Sequence, residues 1–265
     1  VLGSPDAIEI GNSHLFSLDN WYRLMNAGYF YPPAAGTDLP NFPERDWWQP
    51  FLGGMRMYVR VDDKRDFAGW KSAIRSGRVM ITSGPIIRFK ADGQGGGTTI
   101  HLKEPKEIII EGSIESPLGI VELELVKNGE ITKIPIRNPG ETGISKHKRF
   151  GVINEKRFNV RFRRALKITE SCWLSLRGRG VPIVALKRAQ LPPTPYHCSD
   201  AVAHAGVIRI IVDKQPLGTA KAIAELSTQL AKQRKFYEKR ANYETPEQKE
   251  EMLDLFDRAI SKLAK

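Results

Sequence analysis

The stretch Asp6-Ala7-Ile8-Glu9-Ile10-Gly11-Asn12-Ser13-His14, continued by Trp21-Tyr22-Arg23-Leu24-Met25-Asn26-Ala27-Gly28 and by Ala34-Ala35-Gly36-Thr37-Asp38, reads as strand, helix, strand. Ile8 and Ile10 are β-branched and apolar, as a short buried strand requires. Leu18, Trp21, Tyr22, Leu24 and Met25 recur at helical spacing, and Gly28 stands where a carboxyl-terminal cap belongs. Tyr31 to Ala35 is a second strand, interrupted by Pro32 and Pro33. Two strands running the same way put the loops 11–14 and 36–38 on one edge, outside their carboxyl ends, where α/β folds place their chemistry. His14 and Asp38 are therefore candidates for one pocket.

The 265 residues bury a sizeable core, as one large domain or two smaller ones. No run approaches the ~18–20 apolar residues of a membrane-spanning helix. The chain starts without Met or a signal pattern and enters a strand almost at once, which reads as the later part of a longer protein. The cysteines Cys172 and Cys198 make no disulfide framework and read as free thiols, so they fix no compartment. The net charge of +11 is concentrated: residues 142–190 hold 13 Lys or Arg against Glu155 and Glu170. A local basic excess is a candidate surface for phosphates, acidic glycans or anionic lipid.

Beyond Asp38, residues 39–50 carry three prolines with Trp47 and Trp48 and form an irregular loop, either a pocket wall or a plug on the core. Asp66 caps a helix in which Phe67, Trp70 and Ile74 share an apolar face, and Gly77 ends it. The glycine-rich run 92–97 lacks Gly-Lys-Ser/Thr and a following helix, so it reads as a hairpin connection rather than a phosphate cradle. From 98 to 190 short strands alternate with turns, among them Asn128-Gly129, a strong hairpin signal. Their number and spacing predict a β-sandwich of immunoglobulin-like size. In 157–163, Phe158, Val160 and Phe162 point one way and Arg157, Asn159, Arg161 and Arg163 the other. Arg157, Arg161 and Arg163 are candidate anion ligands, or else the charges that guard an edge strand. His197, Cys198, Asp200 and His204 could each ligate a metal but match no compact zinc spacing. Val207–Val212 is a last strand. Two apolar stripes follow, Ile223, Leu226, Leu230 and Tyr237, then Met252, Phe256, Ala259 and Leu263. With the start signal Thr245-Pro246-Glu247-Gln248, they predict a helical hairpin.

The segments 6–12, 21–28 and 35–38 resemble closing units of the polymerase and histidinol phosphatase (PHP) superfamily of metallohydrolases, in its CehA/McbA branch. Ser76-Gly77-Arg78, Thr82-Ser83-Gly84-Pro85 and Ala203-His204 before 207–212 fit the same branch. The resemblance implies a distorted β/α barrel holding zinc, manganese or iron, with a β-sandwich appended. The family's amino-terminal His-x-His is not found in this chain. Its closing Asp-x-His reads Asp38-Leu39-Pro40, so only Asp38 carries over, and His14 joins it by position. Two ligands fall short of the three plus water that a catalytic zinc uses. The expected organisation is α/β plus β: PHP-like βα units at 1–77, an immunoglobulin-like sandwich at 78–190, and linker, final strand and helical hairpin at 191–265. The expected function is the carboxyl-terminal portion of a phosphoesterase-like, metal-dependent hydrolase, inactive as it stands and completed by an upstream half that supplies ligands. The alternative is a non-catalytic module that binds polyanions or acidic glycans through 142–190. Nucleic acid fits that stretch less well, since it carries no RNA-binding motif. A third reading is a structural appendage that meets a partner chain through the helical hairpin.

Overall fold

The computed structural model describes residues 2, 5–11, 18–37, 54–63, 66–116, 119–136, 158–180 and 201–264. His14, Asp38, Trp47, Trp48, Arg157, His197, Cys198, Asp200 and the expected strand 181–186 lie outside them.

The amino-terminal unit is β1 (Ile8–Gly11), α1 (Leu18–Asn26) and β2 (Pro33–Ala35), with β1 and β2 paired in parallel. Gly28 ends α1 with φ of +87°, and the Gly28 and Tyr29 amides donate to the carbonyls of Met25 and Leu24. That double closure needs a left-handed residue, which glycine supplies without a Cβ penalty. Among the described residues β1 and β2 form a sheet of their own, and no barrel closes.

Two larger sheets follow. The four-stranded sheet has the order β11 (Phe158–Ile168), β8 (Lys106–Ser116), β5 (Ile86–Ala91), β6 (Gln94–Gly95). The eight-stranded sheet runs β10 (Glu130–Lys133), β9 (Ile120–Lys127), β12 (Cys172–Gly180), β13 (Val202–Ala205), β4 (Val79–Thr82), β3 (Arg56–Val59). Off that path, β14 (Ile208–Val212) pairs with β12 and with β7 (Thr99–Leu102). The two inner faces share one core: Ile87, Phe89, Ile108, Ile110 and Ile114 from the smaller sheet meet Leu123, Leu125, Leu174, Leu176, Ile208 and Ile210 from the larger. Strands from 56–59, 79–180 and 202–212 thus join in one pair of facing sheets. Asn128 and Gly129, both at positive φ, turn β9 into β10 as the sequence predicts.

The larger sheet is covered on its other side as well. Trp21, Tyr22 and Met25 of α1 pack with Ile10, Ile81, Val126 and Trp173 in a second core, so β12 is buried on both faces. Helices α3 (Ala220–Arg240) and α4 (Pro246–Leu263) form the expected hairpin, with Tyr237 against Phe256. Their buried Ala222, Leu226 and Leu263 cluster with Ala27, just after α1. The Thr245 hydroxyl accepts from the Gln248 amide, and Gln248 Oε1 accepts from the Glu244 amide, a reciprocal cap.

Helix α2 (Phe67–Arg75) departs from the expectation. Phe67 is 66% exposed and Trp70 38%, stacked on one another, and Ala73 is the buried residue. A nine-residue helix has only room for a narrow contact, and here α2 meets its neighbours through Ala73 rather than through its aromatic stripe. No described helix is long and apolar enough to cross a membrane.

Candidate anion-binding face and a buried histidine network

The outward face of the four-stranded sheet follows from period-two alternation. In β5 Arg88 and Lys90 alternate with buried Ile87 and Phe89; in β8 Glu111, Ser113 and Glu115 alternate with buried Ile110, Gly112 and Ile114. In β11 Asn159, Arg161 and Arg163 are the exposed set. Register aligns them in rows: Arg88, Ser113, Arg161; then Lys90, Glu111, Arg163; then Glu115 beside Asn159. An open groove of about 710 Å³ lies over these rows.

The carboxylates of β8 tie down part of this charge. Arg88 Nη1 lies 3.0 Å from Glu115 Oε1, and Arg163 Nε lies 2.9 Å from Glu111 Oε1. Lys90 and Arg161 have no carboxylate within ion-pair distance among the described residues. Arg88 and Arg161 flank Ser113 from both neighbouring strands, so their backbones stand ~10 Å apart, within reach of a single anionic group above the serine.

The sequence treats 142–190 as one basic surface, and the described part of it is divided. Arg161, Arg163 and Lys167 lie on the outer face of β11. Arg164 turns the other way, over the Phe162 ring at 5.9 Å, with Nε buried and unpartnered among the described residues. Arg177 and Arg179 sit in the other sheet, bound to Glu124 and Glu122 of β9. The chain changes sheets at 169–171, between β11 and β12, and that separates charges adjacent in sequence. Arg161 and Arg163 are therefore joined by Arg88, Lys90, Ser113 and their carboxylates, which local reading missed. The alternation in 86–91 and 107–115 was the available signal; the cross-strand register was not.

His204, singled out by sequence, is fully buried on β13, between α1 and the larger sheet. Its Nδ1 lies 2.8 Å from the Ala205 carbonyl and so carries the proton; its Nε2 accepts from the Tyr22 hydroxyl at 2.7 Å. The Ser175 hydroxyl donates to the same Ala205 carbonyl at 2.9 Å. Trp21 meets the imidazole edge-on at 5.1 Å. Burial pushes the His204 pKa down from 6.5 to about 4, and Arg177 adds to the effect. Burial likewise raises Tyr22 to about 12, against the pull of Arg177. A serine, histidine and tyrosine meet here, but Ser175 spends its proton on a carbonyl and the site is closed to solvent. The network holds α1 on the sheet, where buried polar groups must be paired.

No group of three or more His, Cys, Asp or Glu side chains among the described residues could hold a metal ion. The donors found there do not make a metal shell, since both His204 nitrogens are taken up within the protein. Cys172 is a free, buried thiol whose pKa burial raises to about 11.

No protein-family model matches this chain, and no curated protein matches it. Among solved structures, it is similar to a Niemann-Pick type C2 protein from Japanese carpenter ant. The TM-score is 0.21 with 10% identity, over 49% of this chain and 90% of that one.

Proposed function

We propose that this chain is a non-catalytic binding module for acidic glycans, and that the ligand lies across β5, β8 and β11. The row Arg88–Ser113–Arg161 carries the reading: two guanidiniums from opposite neighbours of one serine, with Arg161 unpaired among the described residues. A carboxylate or sulfate above Ser113 takes charge-assisted hydrogen bonds from both arginines. Glu111 and Glu115 occupy the adjoining rows on β8, ~6.7 Å to either side. Sugar hydroxyls donate to such carboxylates. A strand of evenly spaced phosphates would be repelled by them, which disfavours nucleic acid. The test is retention on immobilised heparin and on single-stranded DNA through a salt series. Elution from heparin above ~0.15 M salt, reduced in the double variant Arg88→Gln/Arg161→Gln, supports the reading. Elution below that salt from both resins overturns it.

A second reading rests on the parallel unit β1–α1–β2, which supports residues 1–77 as terminal units of a PHP-like barrel completed by an upstream half. Asp38 and His14 would then contribute to a divalent metal shell. Zinc binding by calorimetry, lost in Asp38→Asn, is the expected outcome; binding unchanged in that variant removes the reading.

A further inference from the structure

A second, smaller cleft lies on the opposite side of the larger sheet from that groove. It is formed by the segment 30–33 that leads from α1 into β2, the end of α2, and the start of β14, and encloses about 110 Å³. Met25, Phe30, Tyr31, Pro32 and Val207 give it largely apolar walls, and Arg209 supplies a cation.

Arg209 is half-buried and has no carboxylate within ion-pair distance among the described residues. Its guanidinium rests 5.7 Å from the Phe30 ring centroid. Its one hydrogen bond among the described residues is a long 3.4 Å contact from Nη2 to the Gly97 carbonyl. Burial disfavours its charged form. A guanidinium withdrawn from water with so little compensation is costly unless an anion meets it. The other cation at the cleft, Arg75, is already bound to Asp6 at 3.0 Å.

The donor inventory decides which anion fits. Four of the amides lining the cleft are committed: Ser76 to the Ser72 carbonyl, Gly77 to the Ile74 carbonyl, Gly97 to the Val207 carbonyl and Arg209 to the Thr98 carbonyl. The guanidinium fork of Arg209 matches the two oxygens of a carboxylate. A phosphate dianion would find a single compensating charge, since Arg75 is held by Asp6. The small volume and the aromatic and aliphatic walls set the rest of the ligand as a short apolar group.

We propose that this cleft binds a small organic monocarboxylate, with its carboxylate on Arg209 and its apolar part against Phe30, Tyr31 and Val207. Butyrate and benzoate are the probes, with butyramide and inorganic phosphate as comparisons. In the unmodified chain, ¹H–¹⁵N spectra of the arginine Nε–H groups follow the titration. A saturable shift of the Arg209 resonance with butyrate or benzoate, absent with butyramide and phosphate, is the expected result. Calorimetry should show affinity falling about 30-fold or more in Arg209→Gln. A second variant, Val207→Phe, fills the cleft while leaving Arg209 in place, and should abolish the shift of that resonance. An Arg209 resonance that ignores both carboxylates, or that responds equally to butyramide or phosphate, overturns the proposal. So does undiminished affinity in either variant.

Discussion

The burial of His204 makes a quantitative prediction about acid stability. In the folded chain its pKa is lowered to about 4, while an unfolded histidine titrates near 6.5. Between those values the unfolded chain binds a proton that the folded chain refuses. Stability from this residue is therefore complete above pH 6.5 and is lost as pH falls towards 4. At 1.36 kcal/mol per unit the whole loss is about 3 kcal/mol. For a chain of this size that corresponds to ~6–12 °C in Tm. Carboxylates protonate in the lower part of the same window, so the measurement is a difference. The companion variant is His204→Gln, whose amide can accept from Tyr22 and donate to the Ala205 carbonyl. Urea unfolding from pH 7.5 to 4.5 should show the unmodified chain the more stable at neutral pH, with the gap closing as pH falls. Imidazole ¹⁵N spectra should show His204 neutral at pH 5.5, with the proton on Nδ1. A gap independent of pH, or a His204 resonance that titrates near 6.5, refutes the reasoning.

Other outcomes follow from the two faces of the smaller sheet and from the core. Glu115→Gln should weaken heparin binding about fivefold, because a neutral amide oxygen replaces the charged acceptor of a sugar hydroxyl, while retention on single-stranded DNA rises with the removed charge; an increase on both resins would mean the carboxylate serves only to repel. A Cβ at Gly112 would collide with the Phe162 ring and come within 2.8 Å of Leu176 Cδ2. Gly112→Ala should therefore cost about 1–3 kcal/mol in urea unfolding, and an unchanged midpoint would contradict the packing. In a Cys198→Ser background, native Cys172 should react with a thiol reagent at pH 8 about 100-fold more slowly than in urea, because burial holds its pKa near 11.

What the sequence disclosed was set by the range of the interaction. Gly28, Gly77, Asn128-Gly129 and Thr245-Pro246 act within a turn or two of chain, and each marks the feature its local chemistry requires. The alternation in 158–163 likewise shows which side chains share a face. It does not show what lies beside them, because register is fixed by turns and core packing elsewhere. Ser113 and Arg88 become partners of Arg161 only through strand pairing. Helical spacing misled at Phe67 and Trp70, since periodicity defines a face without saying that anything covers it. His204 stood out in the sequence only as a possible metal ligand, because its partner Tyr22 lies at the other end of the chain.

The placement of β13 and β14 has a bearing on how the chain is made. The Ser83 amide donates to the Val202 carbonyl, and the Val202 amide to the Ser83 hydroxyl, across 119 residues. β12 has β13 and β14 together as its partner on one side. A nascent chain that has emerged only as far as Gly180 therefore displays β12 and β4 with open edges. Such edges recruit other strands. Synthesis past Val212 closes the sheet, so this long-range pairing makes β4 and β12 dependent on residues 202–212 for their missing partners. Chains cut before residue 201 should accumulate as aggregates, and supplying 201–265 as a separate piece during refolding should rescue them.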